Sequence, residues 1–448
     1  MPRTYLVGGT VRDLLLGRPA ADHDIATGLD PAGLAAEMAR RTGGRVVVFK
    51  KADFAVYRVV SPQDGVFDIS AIYGQSLETD LGNRDFTINA MALEPVAGRI
   101  IDPLGGEKDL RAGRIHIASP RVFAKDPARL LRAFRLSAEF DFALSSATRE
   151  AVLSHAARIV DVPGERIRQE LLKLLKTPRA AERLQSMAET GLLEHLIPQW
   201  REMAGCQVSQ QSTTSASALA LDTVAALESG DLTIALGPYP EAGPPDPPAG
   251  LIKLGALLAD IGRPAVRRLK KIGRWDDPAV VPRTLIAADA LMHRFRLSRR
   301  ERAVVDVLIK TLHRPSALAA AERAGKPSAL AATRFFMAAG DLVPAALALA
   351  LARRRCLARD TDSFETCLRS LLNTYETGYR IRLRQPPLLS GNRLLAALDL
   401  PPGPAVGRLL SILRRHQLAG AIASPEAALS MARSICDTPL IQNAPVTQ

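Results

Sequence analysis

No two cysteines in this chain stand close enough to form a C-x-x-C pair. Cys206, Cys356, Cys367 and Cys436 are its only four in 448 residues. That scarcity excludes a disulfide framework and predicts free thiols in a reducing compartment. No uninterrupted apolar run reaches the roughly 18 residues a membrane span needs. The N-terminus shows no signal-peptide h-region, running directly into a strand and a glycine turn, so the cytoplasm is the expected location. No internal repeat of fixed period is present. What is there is a globular composition, 47% hydrophobic and 23% charged, long enough for two to four domains.

Charge is plentiful but unevenly placed. The net charge is +13, yet residues 1–118 carry 14 Lys and Arg against 15 Asp and Glu, which leaves 45 against 31 for the remainder. A near-neutral front with a basic rear suits a polyanion held by the rear. The texture changes at the same place. Residues 4–102 alternate strand-like and helical runs. The strands are Tyr5–Val7, Asp22–Ile25, Arg45–Phe49, Phe54–Val60 and Gly65–Ile69, and their short connections predict a largely antiparallel sheet. Asp30 followed by Pro31 predicts a capped helix. From about residue 119 the pattern is helical to the end. It is interrupted by a Ser/Thr/Gln-rich stretch at 209–217 and a Pro/Gly-rich loop at 237–250, and the last dozen residues read as frayed. The fold class is therefore α+β, a small mostly antiparallel sheet followed by helices.

The chemistry concentrates near the N-terminus. Gly8 and Gly9 precede a helix start and offer backbone N–H groups to a phosphate. Asp22 and Asp24, two apart on a strand, share one face. Two adjacent carboxylates call for a divalent cation, and Mg²⁺ is held by one or two carboxylates plus substrate phosphates. Asp68, isolated in an apolar strand, is the candidate third acid and needs a cation or strong donors. Phosphate cradle, Arg12 and Asp-x-Asp, in that order, read as nucleotidyl transfer. Farther on, Arg84 can meet phosphate, Asp85 can accept from a ribose hydroxyl, and Asn89 can bind the same ligand. Asp126, Arg129, Arg132 and Arg135 recur every third residue and so lie near one another on a helix. An Asp beside an Arg can read the edge of a base, with the later arginines on phosphates.

These blocks, in order, resemble the class II tRNA nucleotidyltransferase and bacterial poly(A) polymerase family of the polymerase β superfamily. The resemblance runs through Leu6–Arg18, Asp22-His-Asp24, Arg84–Ala92, Asp102-Pro-Leu-Gly-Gly106, Asp126–Arg135 and Gly164–Leu171. It extends more loosely to a tail-like segment around Leu389–Asn392 and Gly403–Arg408. It implies a five-stranded polymerase β-like head (1–118), a helical neck with a base-recognition helix (119–180), a body (181–330) and a tRNA-binding tail (331–448). It also implies Asp22 and Asp24 on a two-ion Mg²⁺ site, and Gly9, Arg12 and Arg84 on the triphosphate. Asp85 would touch the ribose, Asp126 and Arg129 would template CTP or ATP, and Arg132 and Arg135 would support the nucleotide. The partner implied is the acceptor stem and 3′ end of tRNA, with no protein partner or membrane.

Three departures stand out. Lys125 replaces a usual Glu, Asn83 replaces a usual Arg, and the segment from Asp68 to Asp80 is short, as in enzymes that add only CC. Within the class, A-adding and poly(A)-adding activities stay open beside CC and CCA addition. Leu254–Pro264 resembles a His-Asp phosphohydrolase signature, but Ala259 replaces its His and leaves Asp260, and Asp222 stands near another expected His. This reads as a degenerate domain kept as a scaffold, with metal-dependent phosphohydrolase and non-catalytic RNA-binding as readings from different classes.

Overall fold

The computed structural model describes residues 4–19, 22–51, 54–209, 212–229, 249–269, 277–357, 361–399 and 401–436. Nearly all of the Pro/Gly-rich loop and the last dozen residues lie outside that set. The chain divides into two compact units, Met1–Pro198 and Gln199–Gln448. The first unit thus contains all of residues 4–116, and the second begins at Gln199.

The first unit opens with β1 (Thr4–Val7), α1 (Gly9–Leu15), β2 (Asp22–Thr27) and α2 (Pro31–Thr42). A meander follows: β3 (Arg45–Lys51), β4 (Phe54–Ser61) and β5 (Gly65–Ala71). The entry to α2 is held as its sequence predicts. Asp30 accepts from the backbone N–H of Ala32 and Gly33 at 3.1 and 2.9 Å, with Pro31 at the first turn; such a cap contributes about 1 kcal/mol. After α3 (Leu77–Gly82) come two three-residue strands, β6 (Ala92–Glu94) and β7 (Arg99–Ile101). The sheet therefore has seven strands, not five, in the order β3-β4-β5-β2-β1-β6-β7. It is mostly antiparallel; only β2 and β5 run parallel.

The two faces of this sheet are covered unequally. On one, Ile25, Val59 and Ile69 pack with Leu34, Ala35 and Met38 of α2. On the other, Val7, Ala26 and Ala92 bury Leu77 and Leu81 of α3. That second cover lies over β1, β6 and the end of β2. On the same face Val47 and Phe49 of β3 and Val60 of β4 are exposed, and Val46 and Val48 of this edge strand are exposed on the opposite face.

The first unit continues through α4 (Gly106–Arg111), β8 (Arg114–Ile115), α5 (Val122–Lys125), α6 (Arg129–Phe140), β9 (Ala143–Leu144), α7 (Ser146–His155) and α8 (Gly164–Lys176). The β8–β9 pair is a small correction to an all-helical reading after residue 119. Leu130, Leu131, Phe134 and Leu136 bury one side of α6.

In the second unit the described residues are helical apart from an isolated bridge, Gln207 to Ser215. One helical run, Ala329–Leu357, is by length and composition apolar enough to cross a membrane although Arg334 and Asp341 interrupt it, and 67% of its most apolar window is buried inside the fold. Its Leu347, Leu349 and Leu351 are core residues. All four cysteines are free.

Candidate active site

The carboxylates are brought together by strand register. Residues opposite one another across a sheet share a face, and Val47 of β3 pairs with Arg58 of β4, Arg58 with Asp68 of β5, and Asp68 with Asp24 of β2. Asp22, two residues before Asp24, lies on the same face and is exposed. Burial is the largest influence on Asp24 and pushes its carboxyl up; Asp68 and Asp22 add to the push, while Arg84 and Arg12 oppose it. Asp68 is not the unaccompanied acid its sequence suggests. Arg58 donates to both its oxygens, at 2.8 and 2.7 Å, and this fork supplies the donors its half-buried position requires.

Gly8 stands beside this row. Its φ of +70° is strained for any L side chain, and a Cβ there would lie 2.6 Å from Arg84 Nη1 and 3.1 Å from Asp24 Oδ2. Glycine here leaves a notch floored by a carboxylate and a guanidinium. Thr10, which no sequence motif singles out, fastens the notch to β2. Its hydroxyl donates to the Asp22 carbonyl at 3.2 Å and accepts from the Asp24 N–H at 2.8 Å. Arg84 also donates to Asp80 at 3.2 Å, so it lies between Asp80 and Asp24.

The remaining predicted residues form a connected polar network. Arg12 is buried, donates to both oxygens of Asp13 and to Asn89 Oδ1 at 2.7 Å, and lies 4.4 Å above the Phe140 ring. A Cβ on Gly9 would meet its guanidinium at 3.3 Å, so Gly9 makes room for Arg12. Asn89 donates onward to Asp85 at 2.9 Å, and Asp85 accepts from Arg132 at 3.2 Å. Burial works against the ionised form of Asp85, but Arg132, Asn89, Arg129 and the Phe86 N–H together hold its pKa below the usual carboxylate value. Arg132 and Arg135 both grip Glu170 of α8, at 3.0 and 2.7 Å. The arginine series is thus a ladder between buried acids rather than a solvated stripe.

Asp126 and Arg129 lie at the entry to α6. Asp126 stands three residues before Arg129, the first residue of α6, whose N-cap is Ala128. The Asp126 side chain accepts from the Ala128 N–H at 3.2 Å but is chiefly clasped by both Nη atoms of Arg166, each at 2.8 Å. Burial raises its pKa, and Arg166 outweighs that to leave it lowered. Arg129 donates to the carbonyls of Arg84 and Asn83 at 3.3 and 3.0 Å, and its Nε is 3.8 Å from Asp126. Glu170 and Arg166, like Thr10, Arg58 and Asp80, are residues that sequence reasoning leaves without a role. The first two fall in the Gly164–Leu171 block, which carries part of the family resemblance.

The donor set fits Mg²⁺. Asp22 and Asp24 are hard oxygen ligands on one face, and the upward push on Asp24 is the strain a cation relieves. Among the described residues there is no group of three or more His, Cys, Asp or Glu placed to hold a metal, which agrees with Asp68 being occupied by Arg58. In the second unit, Asp260 is 1% exposed and bonded to Arg263 at 2.8 Å and Arg353 at 2.7 Å. An acid enclosed in this way is a structural hub, which supports the scaffold reading over a phosphohydrolase.

Comparison with known proteins agrees with this geometry. Residues 4–116 match the Poly A polymerase head domain, and residues 141–203 match the family described as the probable RNA and SrmB-binding site of polymerase A. A CC-adding tRNA nucleotidyltransferase of Thermus thermophilus is 32% identical over 95% of this chain and 92% of its own. An A-adding tRNA nucleotidyltransferase of Deinococcus radiodurans is 32% identical over 95% and 94%. Among solved structures, an apo CCA-adding enzyme superimposes with a TM-score of 0.68 at 22% identity, covering 97% of this chain and 91% of that one. The Thermotoga maritima CCA-adding enzyme with tRNA gives 0.63 at 22%, covering 97% and 92%. With a polymerase-type head, a row of strand-borne carboxylates and relatives of this identity along nearly its whole length, the chain belongs to the tRNA nucleotidyltransferase and poly(A) polymerase family.

Proposed function

We propose that this protein transfers CMP or AMP from CTP or ATP to the 3′ end of tRNA without a nucleic-acid template. The observation that carries the reading is the placement of Asp22 and Asp24 on one open sheet face beside the Gly8 notch. The acceptor 3′-oxygen forms a bond to the α-phosphorus, the α–β phosphoanhydride bond breaks, and pyrophosphate leaves; the hydroxyl proton passes to solvent. Asp22 and Asp24 would hold Mg²⁺, which when bound supplies Lewis-acid activation and charge neutralisation. Gly8 admits the triphosphate to the notch, with Gly9 behind it, and Arg84 balances its charge. Asp126 and Arg129 present an acceptor and a donor fork to the base, exchanging their present contacts with Arg166 and with the loop carbonyls. The hydrogen-bonded series Arg12, Asn89, Asp85, Arg132, Glu170 and Arg135 holds these groups in register. Asp68 joins the metal-binding acids if Arg58 releases it. The reaction is placed in the cytoplasm.

Within this activity, CC addition is the more specific reading. The link from β5 to α3 spans only residues 72–76 and contains the single turn Tyr73–Gln75, and the Thermus relative carries that name. Incubating tRNAs truncated at successive 3′ positions with each nucleotide separately tests it. CMP incorporation that stops before the terminal A supports CC addition, AMP on a CC-ending tRNA supports A or CCA addition, and incorporation of neither overturns the transfer reading.

A further inference from the structure

The sheet face that carries the acids continues beyond them onto β3 and β4, and there its character changes. Arg45, Val47 and Phe49 alternate onto this face, opposite Val60, Arg58 and Val56 respectively. Phe49 is 50% exposed, Val47 45% and Val60 43%. The Arg58 guanidinium lies 5.2 Å from the centre of the Phe49 ring while also holding Asp68. An exposed aromatic ring beside one cation, with a second farther along the same row, is the composition of a stacking surface for single-stranded nucleic acid.

Its position specifies which nucleotide. Sheet order puts the acids on β5 and β2, with Gly8 following β1 on one side and β3 and β4 on the other. The Gly8 notch, with Arg84 across it, is the phosphate side. Phosphoryl transfer needs the attacking and leaving oxygens roughly in line, so the attacking strand enters from the side opposite the leaving pyrophosphate. We infer that the Phe49–Arg58 shelf receives the 3′-terminal nucleotide of the acceptor RNA, its base stacked on Phe49 and its 5′-phosphate drawn to Arg58 and Arg45. Pairing with that phosphate draws Arg58 from Asp68, so acceptor binding frees the third acid. The inference rests on the transfer reading and assigns the second substrate of the same site.

The test uses the full-length chain and a truncated tRNA carrying 2-aminopurine as its 3′-terminal base, with no nucleotide triphosphate present. Stacking on Phe49 quenches the fluorophore in wild type and in Phe49→Tyr, and Phe49→Ala loses the quench. In steady-state assays Phe49→Ala raises KM for tRNA about tenfold, as expected for one lost base stack, with KM for CTP or ATP within twofold. Equal quenching by wild type and Phe49→Ala overturns the shelf, as does a KM for nucleotide that rises in step with that for tRNA. So does a Phe49→Ala variant changed only in association state by sedimentation, which would make β3 a protein-docking edge. Wild-type incorporation with quenching unaltered by Phe49→Ala overturns the shelf alone. Loss of quenching in Phe49→Ala with no incorporation by wild type overturns the transfer reading and keeps the shelf.

Discussion

Lys125 Nζ donates to Asn83 Oδ1, joining two of the three places at which the sequence resemblance leads one to expect something else. Where a Glu and an Arg are usual, the chain has a cation and an amide, with the charge moved to the other partner. The contact is adjacent to Asp126, and Arg129 reaches the Asn83 carbonyl. It therefore ties both base-facing candidates to the same loop. Lys125→Glu and Asn83→Arg are each expected to change the ratio of kcat/KM for CTP over ATP by about two- to fivefold, the scale of an exposed polar pair. The double variant restores an opposite-charge pair and is expected to fall back toward wild type. A double-mutant cycle on that ratio measures the coupling, and additive single effects would show that the pair does not act as a unit.

Asp24→Asn removes a half-buried, like-charge-crowded carboxylate. Incorporation is expected to fall by at least about 10²–10³-fold, as on loss of a transition-state charge stabiliser. Thermal stability without added metal should not fall, because the deleted charge is one that burial and its neighbours disfavour. Paired rate measurements and melting curves check this, and a large drop in Tm would mark Asp24 as structural.

Gly8→Ala places a methyl group 2.6 Å from Arg84 Nη1 at a backbone φ of +70°. Strain of about 1–3 kcal/mol is expected, with displacement of Arg84. The expected signature is a rise in KM for the nucleotide greater than that for tRNA. Equal effects on both would mean the notch does not receive the triphosphate.

Asp85 supplies a pH prediction. Its pKa is lowered in the folded protein, so the stability it contributes is complete above the ordinary carboxylate value near 4. It is lost as pH falls through the depressed folded value. Denaturant melts from pH 6 downward should show wild type losing more stability than Asp85→Asn below about pH 4. Near neutrality the variant should be about 1–3 kcal/mol less stable, the cost of losing charged hydrogen bonds. Parallel curves for the two proteins would exclude this role.

Asp260→Ala removes the carboxylate that two fully buried arginines, Arg263 and Arg353, share. The second unit should lose about 3–5 kcal/mol, read as an earlier unfolding transition, and no phosphohydrolase activity should be present to lose.

The local features of the head are legible because each is written within a few residues. Asp30-Pro31 gives a cap, and the β-branched runs of 45–69 give strands with bounds close to those observed. The two missing strands, Ala92–Glu94 and Arg99–Ile101, are too short to show alternation. The apolar run Ala329–Leu357 is hard to see in sequence because Arg334 and Asp341 interrupt it, and only its average hydropathy over a long window marks it. At the site, the acids are visible by spacing, but the partners of the arginines are not. Arg12 turns to its own neighbour Asp13 and to Asn89, and Asp126 is claimed by Arg166. The Asn89 and Arg166 contacts join segments that meet only in the folded chain, so no local pattern records them. Asp68 shows the same limit, since Arg58 becomes its partner through strand register.

The single parallel pairing in the sheet has a kinetic consequence. Antiparallel neighbours β3, β4 and β5 are joined by tight connections, whereas pairing β2 with β5 closes a loop that contains α2, β3 and β4. Asp24 and Asp68 therefore come side by side late, across a loop whose closure entropy must first be met. A nascent or partly folded chain lacks the assembled acid row, and catalytic competence arrives with completion of the head rather than by degrees.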